Sequence, residues 1–170
     1  MQPRIEPEVV FGLAGPIPAS DDAVELLSGV EWMAAGFEIV QCHFPGWRFA
    51  AADSTASFGL HGALVVGAPV AVTDENRSSV AAALASFDLT LSRGGTLVDR
   101  GTGGNVLGSP ALALGFLAHT VAAQPQFSAP AAGEVITTGT LTNAHAVAPG
   151  ERWESDYGAL GIEGLTVEFC

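Results

Sequence analysis

The chain has 170 residues, with 18 Asp+Glu against 6 Lys+Arg and a formal net charge of −12. All six positive side chains are arginines (Arg4, Arg48, Arg77, Arg93, Arg100 and Arg152), and the absence of lysine excludes a Schiff-base enzyme, a phosphate-loop lysine and an ammonium general base. So acidic a chain lacks the basic footprint that phosphate backbones need, which argues against nucleic acid as a partner.

Hydrophobic residues make up 48% of the chain and charged ones only 14%, ample material for one buried core, so residues 1–170 read as a single domain. No run of about 18 consecutive apolar residues is present, so no membrane span is expected. The first six residues show neither a basic stretch nor an apolar one, so no signal peptide is expected. Cys42 and Cys170 read as free thiols, and a cytoplasmic location is the expectation.

Residues 5–13 read as a strand. Pro7 removes a ladder donor, so this strand is expected at an edge or irregular there. Gly15-Pro16-Ile17-Pro18 breaks it. Ser20 or Asp21 then reads as an N-cap, with Asp22 and Glu25 in the first turn, where the helix dipole favours anions. Val24, Leu27, Val30 and Met33 lie at helical spacing, and Gly36 ends or follows that helix. Residues 37–42 predict a second strand. From Trp47 to Leu60 a loop with a short helical piece is expected, and 63–72 is strongly β-like. Residues 78–85 read as a short helix or a sheet edge. Residues 87–91 and 96–99 flank Arg93-Gly94-Gly95 as a hairpin. Ser109 caps and Pro110 opens a helix over 111–123, the clearest in the chain. Strands at 135–139, 153–157 and 164–169 close the sequence. Strands outnumber the helices inserted between them, which gives a β-rich α+β class.

Glu6 and Glu8 sit two apart on the first strand, so their side chains share a face. Glu38 is a third carboxylate, embedded between Phe37 and Ile39. Adjacent carboxylates in a cleft need a counter-charge, and without lysine that charge is an arginine, a proton or a metal ion. Three oxygen donors with room for water suit a hard divalent cation, Mg²⁺ or Mn²⁺. The alternative from spacing alone is that Glu6 and Glu8 lie on a solvated face and Glu38 points outward.

The segments 4–11 (Arg-Ile-Glu-Pro-Glu-Val-Val-Phe) and 36–41 (Gly-Phe-Glu-Ile-Val-Gln) resemble the metal-binding core of the 2-oxopent-4-enoate hydratases, a group of the fumarylacetoacetate hydrolase superfamily. Residues 44–49 with Asp53 and 59–64, the helix start at 105–110, and the stretches 133–142 and 147–150 resemble that group's later motifs in the same order. The resemblance implies a mixed β-sandwich roll with two main inserted helices. It implies Mg²⁺ or Mn²⁺ held by Glu6, Glu8 and Glu38, and a small 2-oxo acid substrate that chelates the metal. Thr138, Gly139 and Thr140 would offer donors near the substrate carboxylate, with Arg48 a further substrate-binding group. Assembly as a homodimer or larger is implied as well.

The activity implied is hydration of a 2-hydroxy-dienoate, or a sister decarboxylation or C–C hydrolysis of 2-oxo acids. The chain departs from the family pattern in three ways. The family's N-terminal region, with a lysine and an acidic residue for proton transfer, is expected to be missing, because the sequence opens just before the first metal motif. Arg48 and Ala50 stand where many members have lysine nearby, and Ala56-Ser57 stands for an Ala-Asp pair. A non-catalytic partner subunit is therefore the alternative reading. Asp53 and His61 are the proton-transfer candidates, with His43 a weaker candidate as a metal ligand. His119 and His145 read as surface or packing residues. The glycines at 101–104 do not open a βαβ unit, so dinucleotide binding is not expected.

Overall fold

The computed structural model describes residues 2–170. In chain order these form β1 (Gln2–Leu13), α1 (Ala23–Leu26), β2 (Val30–Cys42), α2 (Ala51–Ala56), β3 (His61–Val66), β4 (Val70–Ala71), α3 (Arg77–Ser86), β5 (Asp88–Arg93), β6 (Thr96–Thr102), α4 (Pro110–Ala122), β7 (Val135–Thr137), β8 (His145–Ala146), β9 (Arg152–Asp156) and β10 (Thr166–Glu168). One sheet runs β3-β2-β1-β7, with β4 on β2 and β8 on β1; the other runs β10-β9-β5-β6. Every strand pair is antiparallel, so the expected mixed sheet is corrected while the β-rich α+β class holds.

The odd positions of β1 (Ile5, Val9, Phe11, Leu13) are essentially sealed from water and join Met33, Ala35 and Phe37 of β2. Leu89 and Leu91 of β5 and Trp153 of β9 meet them from the second sheet, so both sheets share one core. Two helices close it: α3 with Val80, Ala81 and Leu84, and α4 with Ala111 and Leu114. These are the two main inserted helices. The even positions of β1 face the other way, and that face carries Arg4, Glu6 and Glu8.

Local chemistry fixes the helix starts. Asp22 Oδ1 accepts from the amides of Val24 and Glu25 at 2.9 Å each, so the cap falls one or two residues later than the sequence suggests. Ser109 caps α4 as expected, with Pro110 in its first turn. The Gly94-Gly95 pair makes the β5–β6 turn, both at positive φ.

The expected helix through Met33 is corrected. Helical structure stops at Gly29, after a single 3-10 turn at Leu27–Gly29, and Val30 and Met33 belong to β2. This strand is buried on both faces over Met33–Phe37, so it lacks the polar alternation that marks a half-exposed strand. Its alanines, at 34 and 35, then read as helical.

Strand β1 lies inside its sheet, so of the two expectations from Pro7, an edge or an irregularity there, the irregularity is what occurs. Its far side pairs with β8 at Arg4 and Ile5 and with β7 from Val10 to Gly12, leaving a gap at 6–9. The Pro7 carbonyl points into that gap and accepts from Leu141 N at 2.9 Å, so the missing proline N–H falls where no ladder partner stands. The stretch Gly103–Ala122 has a mean hydropathy of 1.3, high enough for a span. It is broken by positive φ at Leu107 and Gly108. The continuous helix Pro110–Ala122 then rises only about 20 Å, short of a hydrocarbon core of about 30 Å.

Candidate metal centre

Two strands bring the three acidic residues together. In the β1–β2 register Glu6 stands directly opposite Glu38, and Glu8 opposite Gly36. Glu6, Glu8 and Glu38 therefore project from one face, and each places a carboxylate oxygen within 4.8 Å of the other two. A common cation with oxygens at about 2.1 Å holds them at most about 4.2 Å apart, so a small inward movement closes the set on an ion. The donor set, three hard oxygens with no sulfur and no ring nitrogen, fits Mg²⁺ or Mn²⁺ chemistry. Solvated outward placement of the three, the alternative from spacing alone, does not occur: Glu8 is 1% exposed, and Glu6 and Glu38 are half-buried.

Packing these charges has a clear electrostatic signature. Burial, with Glu38 alongside, raises Glu6 from 4.5 to about 7, against the opposing pull of Arg4. Burial raises Glu8 further, to about 8; a hydrogen bond from Gly139 N opposes the rise, and the neighbouring Glu38 and Glu6 add to it. Without a cation Glu6 and Glu8 are thus pushed toward their protonated forms near neutral pH, the response expected of buried carboxylates set side by side.

Second-layer contacts fix the geometry. Gly139 N donates to Glu8 Oε2 at 2.9 Å. Its φ of +107° points that amide inward, a conformation an L side chain rarely adopts. Tyr157 Oη donates to the Glu8 carbonyl at 2.6 Å and lies 3.1 Å from the Gly36 carbonyl. The phenol is fully buried and its titration is pushed well above the usual range by that burial. On the open side, His61 Nδ1 sits 2.6 Å from Glu38 Oε1. Arg4 shares the carboxylate face, its guanidinium 4.0 Å above the Trp47 ring.

The remaining candidates divide. His61 reaches the trio through Glu38. It also borders a cleft of about 400 Å³ lined by Gln41, His43, Ala56, Ser57 and Phe58. Asp53 does not join the trio: it is exposed, and Oδ2 accepts from Ala50 N at 2.9 Å, which starts α2. Arg48 is exposed and pairs with no carboxylate among the described residues, so Arg4 is the arginine on the site's face. Gly139 meets the site through its amide. The Thr138 hydroxyl is buried and donates to the Val9 carbonyl at 2.9 Å, and Thr140 Oγ1 donates to the Thr142 carbonyl at 3.0 Å. Both hydroxyls are therefore engaged with backbone carbonyls of the chain itself.

His43 lies in the cleft, outside the acidic trio. His119 is exposed beside Asp21, and His145 bonds Asp99 at 2.8 Å across the two sheets. Gly103 has a packing reason: a Cβ there would sit 1.8 Å from the Leu84 carbonyl oxygen. Tyr157 carried no sequence signal beyond being the sole tyrosine. Cys42 is a buried free thiol and Cys170 an exposed one.

No protein-family model matches the chain. It is 32% identical to a 2-hydroxyhexa-2,4-dienoate hydratase of Comamonas testosteroni, over 97% of this chain and 58% of that protein. Identity to a 4-oxalocrotonate decarboxylase of a Pseudomonas species is also 32%, over 88% of this chain and 55% of that one. The chain thus spans somewhat more than half the length of these curated relatives. Among solved structures it superposes on the 4-oxalocrotonate decarboxylase of Pseudomonas putida G7, complexed with magnesium and adipate, with a TM-score of 0.86 at 22% identity, over 100% of this chain and 61% of that chain. A fumarylpyruvate hydrolase of Pseudomonas aeruginosa, complexed with Mn²⁺ and pyruvate, matches with a TM-score of 0.68 at 16% identity, over 99% of this chain and 66% of that chain. In sequence the chain is thus similar to 2-keto-4-pentenoate hydratases and 4-oxalocrotonate decarboxylases, and with its acidic β1–β2 motif and antiparallel double sheet it has the fold of the fumarylacetoacetate hydrolase superfamily.

Proposed function

We propose that the chain binds one Mg²⁺ or Mn²⁺ through Glu6, Glu8 and Glu38 and acts on a small 2-oxo acid, adding water to its 2-hydroxy-dienoate form. The observation that carries this reading is the convergence of three carboxylate oxygens within 4.8 Å on one face of the sheet. When bound, the ion would offset most of the trio's charge, anchor the substrate's paired oxygens and favour negative charge on the 2-oxo oxygen.

The chain's own residues do the rest. Gly139 and Tyr157 hold Glu8 and its strand in place. His61, against Glu38 at the rim, is the side chain placed to pass a proton between solvent and substrate. In the overall reaction the dienol hydroxyl loses a proton and C5 gains one; water then gives its hydroxyl to C4 and a proton to C3.

The test is ultraviolet absorbance of 2-hydroxypenta-2,4-dienoate with protein and Mg²⁺ or Mn²⁺. Loss of the conjugated chromophore, dependent on both metal and His61, is expected. No loss, with ion binding measured separately, leaves a non-catalytic metal-binding subunit, the reading favoured by an exposed Arg48 and by Asp53 capping its own helix. Decarboxylation is the second enzymatic reading, supported by the equal identity to a 4-oxalocrotonate decarboxylase. Release of CO₂ from that acid would identify it.

A further inference from the structure

Arg4 precedes Glu6 by two positions on β1, so the two side chains share a face about 7 Å apart along the strand. The register sets Arg4 opposite Val40 of β2 and Ala146 of β8. Three other arginines are ion-paired away from this face: Arg77 with Asp74, Arg93 with Glu151, and Arg152 with Glu154 and Glu168. Arg48 and Arg100 are exposed. Arg4 is half-buried and, among the described residues, pairs with no carboxylate, although Glu6 is its near neighbour. Its guanidinium lies instead 4.0 Å from the centre of the Trp47 ring. Trp47 holds a φ of +58°, a region that bulky L residues rarely enter. Phe49 backs it at 6.3 Å between ring centroids and itself stands 5.9 Å from Phe44. A strained backbone persists only where its surroundings over-determine it. Here the result is one ring presented to one guanidinium, and stacking on the flat face leaves the N–H edge free to bind.

A chelating 2-oxo acid gives the ion one carboxylate oxygen and its 2-oxo oxygen, so the second carboxylate oxygen still needs a donor. The other polar groups around the trio are already engaged: Gly139 N with Glu8, the Thr138 hydroxyl with Val9, the Thr140 hydroxyl with Thr142, and His61 with Glu38. Charge points to the same arginine. Three carboxylates around a divalent ion keep one net negative charge, which repels an anionic acid, and Arg4 cancels it. Resting on the metal-dependent reading above, we infer that Arg4 binds the carboxylate of the metal-chelated 2-oxo acid through its N–H edge, with Trp47 as the positioning residue that holds the guanidinium flat.

The test titrates 2-oxopentanoate, a saturated acid with no double bond to hydrate, by calorimetry into the full chain saturated with Mn²⁺. Arg4→Met removes the charge and keeps an apolar stem over Trp47. Its affinity for 2-oxopentanoate should fall about 10–100-fold, while its Mn²⁺ affinity holds or rises because a positive charge beside Glu6 is gone. Trp47→Leu, which touches neither β1 nor the core, should weaken the acid roughly 2- to 5-fold and leave Mn²⁺ affinity unchanged, and Trp47→Phe, which restores a ring face, should recover most of that loss. A merely structural role for Arg4 would weaken ion and acid together. Should Arg4→Met fail to fold by circular dichroism, the two Trp47 variants decide alone. Wild-type acid affinity in Arg4→Met or in Trp47→Leu, or a parallel loss of Mn²⁺ and acid in a folded variant, overturns the role of Arg4 and leaves the metal reading standing. Failure of the wild type to bind Mn²⁺ or 2-oxopentanoate overturns the reading on which that role rests, and the role with it.

Discussion

Tyr157 Oη donates to the main-chain carbonyl of Glu8 at 2.6 Å, so a phenol at the end of β9 ties the second sheet to the strand that carries the acidic trio. The contact is fully buried and joins residues 149 positions apart. Tyr157→Phe keeps the packing and loses the hydrogen bond. It should lower stability by about 1–2 kcal/mol in denaturant unfolding and weaken Mn²⁺ binding, because Glu8 loses its anchor.

The raised titrations of Glu6 (about 7) and Glu8 (about 8) give a pH dependence with a definite sign. Between about pH 4.5 and pH 8 the metal-free native state holds more protons than the unfolded chain, so its stability falls as pH rises. An ion that displaces those protons binds more tightly as pH rises through the same window. Melting curves at pH 5.5 and 8 should show a lower midpoint at pH 8 without metal, and a larger upward shift on adding Mn²⁺ there. A metal-induced shift equal at both pH values would contradict this.

Glu8→Gln separates folding from ion binding. The amide is neutral, and its carbonyl oxygen can still accept from Gly139 N. The metal-free variant should therefore melt above wild type at pH 8. Its Mn²⁺ affinity should fall by more than the roughly 10–100-fold seen when an outer partner is lost.

Gly139→Ala adds a side chain at φ +107°. The loop must turn, moving the amide away from Glu8. Mn²⁺ affinity should drop by about 10–100-fold, with the β1–β2 register preserved by amide exchange protection.

Leu107, Phe116 and Phe127 are each more than half exposed, at 57%, 56% and 60%. Covering them favours pairing of copies, and sedimentation at micromolar protein is expected to give a dimer or larger. Phe116→Ser with Phe127→Ser should shift the distribution toward monomer.

Much of this was legible in the residues because period-two spacing is a strong constraint: Glu6 and Glu8 had to share a face once β1 was a strand. Cross-strand register was not legible, and it is register that puts Glu38 opposite Glu6. The β2 start was misplaced because Ala34, Ala35 and Gly36, buried on both sides, carry no alternation. Asp53 and Arg48 could not be located from type and position alone, since a helix-starting carboxylate and a cleft carboxylate look the same in sequence. The threonine hydroxyls at 138 and 140 turn to backbone carbonyls, of Val9 and Thr142, a choice that residue type alone does not reveal.

Mn²⁺ binding followed by electron paramagnetic resonance bears most directly on the acidic trio. One ion per chain should bind saturably, and Glu6→Gln, Glu8→Gln and Glu38→Gln together should abolish it with the fold intact by circular dichroism. Saturable binding that persists in the triple variant, or none in the wild type at millimolar Mn²⁺, would contradict the assignment.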